Sequence, residues 1–245
     1  MFLPPNATLS EGEFRVRLER AEKLLACHQT ALGHELPNHL VAINGLLQFL
    51  TLEEEAHLTA EGREYLRRLV ATTQRVQTLV SRLADMGRVL RDSWRFERVA
   101  LNAALREAAA EIKKLCPEAI IGYDLCEPTP GLLVARKALR QVLLELLRNA
   151  VAAAPAGRPP RIEIGTRIQA PPGGVEFWIG DDGRGISPER QRRLFEPFPG
   201  SDLAAAGSGL GLFVVRLLVE NWGGTVRVES IPGQRTTVTV TTPVS

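Results

Sequence analysis

The chain has 245 residues, 44% of them hydrophobic and 24% charged, and its 30 Lys and Arg against 28 Asp and Glu leave a formal net charge of +2. That balance is ordinary for a globular protein and gives no general case for binding nucleic acid or an anionic membrane surface. No apolar run approaches the ~20 residues a membrane span needs, and no charged start precedes an apolar block, so the expectation is a cytoplasmic protein without direct membrane insertion.

From about Glu11 to Val89 the sequence is nearly free of Gly and Pro and rich in Leu, Ala, Arg and Glu. This predicts two long helices. In the first, Leu25, Leu32, Leu36, Leu40, Ile43, Leu47 and Leu50 follow three-four spacing. In the second, Leu66, Leu69, Thr73, Val76, Val80, Leu83 and Leu90 do the same, a sustained apolar seam. Glu53 to Leu58 is a charged connection, and Thr59 is a candidate N-cap for the second helix. A loop this short makes the pair an antiparallel hairpin. One hairpin cannot cover the seam; two copies packed as a four-helix bundle can, so the pattern predicts a homodimer.

After Trp94 the texture changes. Arg98 to Leu101 and Ala119 to Leu125 read as strands, and Asn102 is a candidate cap for a helix running to about Leu115. Ala135 to Ala154 is an apolar helix. Arg161 to Gln169 and Gly174 to Gly180 alternate as strands around a Pro-Gly turn. Pro188 opens a short helix, Leu210 to Trp222 forms another, and Thr225 to Ser230 with Thr236 to Thr242 closes the chain as a hairpin. The expected class is α+β: residues 1–95 as a helical hairpin, and residues 96–245 as a sheet covered on one face by helices. Cys27, Cys116 and Cys126 fit neither a zinc site nor a disulfide framework.

Three segments of the second half carry chemistry. Asp181-Asp182-Gly183-Arg184-Gly185 follows an apolar strand, placing a carboxylate at a strand end before a tight turn. Gly207-Ser208-Gly209-Leu210-Gly211-Leu212 leads into a helix, whose free N–H groups and positive dipole end suit phosphate. Glu145 and Asn149 stand four apart on an otherwise apolar helix, so they share a face and need polar partners. Mg²⁺, which favours oxygen ligands, and ATP phosphates would supply them. In the first half, His34 is followed by Glu35, and by Asn38 on its own helical face. Ideal helical spacing turns His34 ~200° from Leu32 and Leu36, toward solvent. An exposed histidine can attack a γ-phosphate when a carboxylate takes its proton.

In this order, the Asn149 helix, Asp181-x-Gly183-x-Gly185, Leu194-Phe195-Glu196-Pro197-Phe198 and Gly207-x-Gly209-Leu210-Gly211-Leu212 resemble the N, G1, F and G2 boxes of the GHKL ATPases. That family includes histidine kinases, gyrase B and MutL, and its ATP-binding domain is an α/β sandwich of the Bergerat type. His34-Glu35-Leu36-Pro37-Asn38 resembles the H-box of the histidine kinases. The resemblance implies ATP and Mg²⁺ as cofactors and a response regulator with an acceptor Asp as partner. It implies His34 as phosphoacceptor, Glu35 as general base, and Asn38 as the residue orienting water for dephosphorylation. Asn149, with Glu145, would hold Mg²⁺, and Asp181 would bind the adenine amino group beside Gly183, Gly185 and Ile186. Gly207, Ser208, Gly209, Leu210, Gly211 and Leu212 would hold phosphates, and residues from about Ile186 to Ala206 would form a mobile lid anchored by Phe195 and Phe198.

Two departures stand out. Proline usually comes five residues after the histidine; here that position is His39 and Pro37 comes three after, so the helix is expected to loosen at His34. Ala152 stands where lysine is common, and Leu194 to Gly211 holds no Lys or Arg, leaving Arg148 and Arg184 as replacement cations. The expected function is an ATP-dependent histidine kinase, with a phosphotransfer or phosphatase adaptor bearing a weakened ATP domain as the alternative.

Overall fold

The structure is a computed structural model that describes residues 31–54, 57–91, 95–128, 131–169, 173–196 and 210–243. Most of the expected first helix before Ala31, Leu25 included, lies outside the described residues. The chain divides into two compact units, Met1–Arg91 and Asp92–Ser245. No helix among the described residues is long and apolar enough to cross a membrane.

In the first unit a π-helical turn, Ala31–Glu35, runs into α1, Leu36–Phe49. A second π turn, Leu50–Glu54, follows, and then the 32-residue α2, Ala60–Arg91. Thr59 caps α2 as expected: its Oγ1 accepts the Gly62 N–H at 3.1 Å. The first π turn has a chemical cause. Pro37 has no N–H for the Gly33 carbonyl, so the α-helical bond is missing and the turn widens to the i→i+5 pattern. At the other end of α1 the Thr51 hydroxyl donates back to the Leu47 carbonyl at 2.8 Å, which competes with the regular ladder.

Helices α1 and α2 pack against each other, and the apolar seam divides between two faces. Leu40 and Leu47 of α1 are buried with Leu66 and Val80 of α2. Leu36, Ile43 and Leu50, the other members of each heptad, remain 41–44% exposed. Leu69 and Val76 are 55% and 41% exposed. One hairpin thus leaves part of the seam, Leu36 included, open.

The second unit is built on a five-stranded sheet of β2 (Ile120–Leu125), β4 (Arg161–Gln169), β5 (Gly174–Asp181), β6 (Thr225–Ile231) and β7 (Arg235–Pro243). Its spatial order is β2-β4-β5-β7-β6, parallel between β2 and β4 and antiparallel elsewhere. A small antiparallel pair, β1 (Glu97–Val99) with β3 (Leu132–Val134), stands apart. The sequence reading contained no β3, because three residues between turns carry no usable period. The helices are α3 (Leu101–Leu115), α4 (Arg136–Ala153), the short α5 (Pro188–Arg192) and α6 (Gly211–Asn221). Strand alternation sends Ile162, Ile164, Val175, Phe177, Ile179, Val238 and Val240 into a core shared with Leu139, Leu143 and Leu147 of α4. Helix α4 lies against β4, β5, α3 and α6, the helix-on-sheet arrangement that the alternation implied.

Asn102 is not the helix cap. Ala100 occupies the cap position of α3, with no side-chain bond. The Asn102 amide instead donates to the Cys126 carbonyl at 3.0 Å and to Glu127 Oε1 at 2.9 Å, while the buried Thr166 hydroxyl donates to its Oδ1 at 3.2 Å. The residue ties the start of α3 to the end of β2 and to the middle of β4. Asn102→Asp separates the two readings, since a cap tolerates Asp but this network loses its donor beside Glu127. Urea denaturation should show a loss of about 1–3 kcal/mol for both Asn102→Asp and Asn102→Ala; an Asp variant as stable as wild type would restore the cap reading.

Candidate nucleotide site and histidine segment

The nucleotide site is assembled from α4, the turn after β5 and the start of α6. Helix α4 is apolar over most of its surface, which seats it on the sheet. Among its polar residues Glu145 is only 8% exposed, and Asn149 is half-buried four residues later. Both are held near the C-terminal half of α4 by the burial of Leu143, Leu146, Leu147 and Ala150. Arg148 places Nη1 3.7 Å from Glu145 Oε1 and keeps much of its side chain in water, a weak pairing.

At the end of β5 the Asp181 carboxyl is half-buried. Burial pushes its pKa up to about 6, with neighbouring Asp182 adding in the same direction; the Gly183 N–H and Arg184 pull the other way. The Gly183 N–H donates to Asp181 Oδ1 at 2.9 Å. Asp182 itself pairs with Arg158 at 3.0 Å.

The two glycines of this turn are demanded by main-chain contacts. A Cβ on Gly183 would lie 2.5 Å from the Ala153 carbonyl oxygen at the end of α4. Gly185 has φ of +64°, and a Cβ there would lie 2.2 Å from the Ile231 carbonyl oxygen. Between them the Arg184 N–H donates to Ala153 O at 3.0 Å, and the Gly233 N–H donates to Arg184 O at 2.7 Å. The Arg184 guanidinium donates to the Ala152 carbonyl at 2.8 Å. That side chain, anticipated as a replacement phosphate cation, is engaged at the C-terminus of α4.

Ile186 follows, half-buried, with its N–H donating to Ser230 Oγ at 2.8 Å. Phe195 is half-buried. Leu210 is buried and precedes α6, whose N-terminus has no side-chain cap; Gly211 and Leu212 are half-buried in its first turn. Phe198, Gly207, Ser208 and Gly209 lie outside the described residues. Gln191 and Ser230 went unnoticed in the sequence, because a contact spanning 39 residues has no local signal.

In the first unit His34, Glu35 and Asn38 are all exposed. His34 and Glu35 belong to the π turn, so uniform helical spacing does not hold there.

Known proteins share this organisation. The family described as histidine kinase-, DNA gyrase B- and HSP90-like ATPase matches residues 135–245. The sensor histidine kinase ZraS of Klebsiella oxytoca is 30% identical over 96% of this chain and 50% of its own. The signal transduction histidine-protein kinase AtoS of Escherichia coli is 28% identical over 95% of this chain and 37% of its own. The crystal structure of full-length ShkA in complex with AMPPNP aligns with a TM-score of 0.65 and 27% identity over 91% of this chain and 46% of that one. Residues 135–245 thus resemble the ATPase domain of that family, and nearly the whole chain is similar to sensor histidine kinases. The chain spans about half the length, or less, of these relatives.

The donor set on α4 bears on which ion such a site could hold. Among the described residues no group of three or more His, Cys, Asp or Glu stands ready to hold a metal. Glu145 and Asn149 together offer only a few oxygen atoms. This fits a hard divalent ion that takes its remaining ligands from phosphates and water, as Mg²⁺ does.

The raised Asp181 pKa makes a stability prediction. The folded state holds this proton more tightly than the unfolded chain, so the benefit is present below 3.8 and is lost as pH rises through about 6. Asp181→Asn removes a half-buried charge and keeps an acceptor for the Gly183 N–H. Its melting temperature should exceed wild type by a few degrees above pH 6, with the gain shrinking on acidification, as followed by circular dichroism.

Proposed function

We propose that this chain is the catalytic core of an ATP-dependent protein histidine kinase that phosphorylates itself on His34 and passes the phosphoryl group to an aspartate of a response regulator. The observation that carries the reading is the Asp181 turn, packed main chain to main chain on the last turn of the helix that bears Asn149. An exposed histidine beside a carboxylate lies in the same chain. The similarity to sensor and signal transduction histidine kinases, and the AMPPNP held by ShkA, support it.

The half-buried Asp181 carboxylate accepts a hydrogen bond from the adenine amino group. Glu145 and Asn149 would hold Mg²⁺, which would supply neutralisation of the charge developing on the phosphates. The N–H groups in the first turn of α6, with the glycines that precede it in sequence, would receive phosphate oxygens. His34 would attack the γ-phosphorus of bound ATP through a ring nitrogen as the bond to the β,γ-bridging oxygen breaks and ADP leaves, and Glu35 would accept the ring proton. Asn38, on the outward face, orients water for dephosphorylating the regulator. The outward face of α1 around Val41 to Phe49, together with part of α2, is the docking surface for that regulator.

Dimerisation supplies the missing cover for the seam. Leu36, Ile43, Leu50, Leu69 and Val76 expose one member of each heptad, and a second hairpin would bury them in a four-helix bundle. Ile43→Glu should therefore shift the protein toward monomer by light scattering; an unchanged dimer would place the interface elsewhere.

A second reading, a phosphotransfer or phosphatase adaptor, is favoured by one observation. Arg184 is bound to the Ala152 carbonyl where a lysine side chain is common, and Leu194 to Gly211 carries no cation. Incubation with γ-labelled Mg-ATP decides between them. Acid-labile label on wild type and none on His34→Gln is expected for the kinase. No label on a folded wild type would favour the adaptor, to be followed by assaying Asn38→Ala on a phosphorylated regulator.

A further inference from the structure

Ile186 is held at both of its main-chain polar groups, its N–H by Ser230 of the distant strand β6 and its carbonyl by Gln191 of α5. Its N–H donates to Ser230 Oγ at 2.8 Å. Its carbonyl accepts from Gln191 Nε2 at 2.7 Å, and the same nitrogen donates to the Ser230 carbonyl at 3.0 Å. Both protons of the Gln191 amide are thus used, and both acceptors are main-chain oxygens. Ser230 is fixed in turn: its hydroxyl donates to the Arg235 carbonyl at 2.9 Å and lies 2.8 Å from Thr236 Oγ1. All these bonds except that to Arg235 are part-buried, so breaking them leaves polar groups poorly hydrated.

The chain between Asp181 and Ile186 contains Gly183 and Gly185, so it has little stiffness of its own. One end is fixed by β5, and the middle by Arg184 on Ala153 and Gly233. The far end is fixed through Ile186. Helix α5 has five residues, too few to persist without tertiary support. Gln191, near its end, supplies that support by reaching back over one turn to β6.

We propose that Gln191 is a positioning residue for the nucleotide site: with Ser230 it clamps Ile186 and thereby fixes the turn that carries Asp181. The consequence for nucleotide rests on the histidine kinase reading; the clamp itself does not. Loss of the clamp raises the entropy that nucleotide binding must remove, so it acts on affinity rather than on the chemical step.

Three exposed arginines, Arg190, Arg192 and Arg193, flank Gln191 and offer trypsin a local reporter of this segment. Gln191→Glu keeps the shape and loses the donors. Without nucleotide it should be cut at these arginines roughly fivefold faster than wild type, with the rest of the second unit equally resistant. In the labelling assay its KM for Mg-ATP should rise roughly fivefold while kcat stays within about twofold, and transfer out of phosphorylated His34 should be unchanged. Ser230→Ala should follow Gln191→Glu in both assays, and Ser230→Thr, which keeps the hydroxyl, should follow wild type. Cleavage and KM equal to wild type in a folded Gln191→Glu would overturn the proposal. If that variant does not fold, equal behaviour of Ser230→Ala and Ser230→Thr would overturn it instead. If wild type takes no label yet Gln191→Glu is cut faster, the kinase reading fails and the clamp stands.

Discussion

The second unit depends on the contact between the Asp181–Gly185 turn and the end of α4. A helix leaves its last carbonyls without intrahelical donors, and those oxygens need partners. Here Ala153 O takes the Arg184 N–H and Ala152 O takes the Arg184 guanidinium. The turn therefore finishes the helix. It can do so only because Gly183 lets two main chains meet where a Cβ would be 2.5 Å from oxygen. One set of bonds thus holds Asp181 and Asn149, which sit on different elements, in a fixed relation. Glycine's conformational cost in the unfolded chain is offset by what that relation makes possible.

The same geometry costs stability at Asp181. Below it, Phe177 and Ile179 belong to the core, so the carboxyl at the strand end is drawn partly out of water. A proton held up to about 6 is the signature of a charge kept in a poor environment. Residues used for binding are commonly less comfortable than their neighbours. Glu145 of α4 is nearly buried as well. The core around Leu143, Leu147 and Phe177 is large enough to tolerate both.

The first unit follows a different constraint, the absent N–H of Pro37. One missing bond widens the turn that contains His34 and Glu35, whereas α1 beyond it is regular to Phe49. Its apolar seam is divided, with Leu40 and Leu47 covered by α2 and Leu36 and Ile43 left half open. A face of this kind on a two-helix unit is incomplete by itself.

Much of the architecture was legible along the chain. Strand Arg161–Gln169 announced itself by alternation, α4 by its apolar length, and α2 by Thr59. The looseness at His34 was also legible, since Pro37 acts on the nearest turn whatever surrounds it. Local rules of period, capping and ring chemistry need only neighbouring residues. The sequence by itself therefore determined which segments are helix or strand, and which residue types stand ready for nucleotide and phosphate. Only the tertiary structure decided that Asn102 ties strands instead of capping a helix, that Arg184 finishes α4, and that Gln191 and Ser230 hold Ile186. Each of these is a hydrogen bond between residues brought together from distant parts of the chain. Such a bond is chosen by which donors and acceptors the packed core leaves in need of a partner, a condition that arises only after the sheet and helices have met.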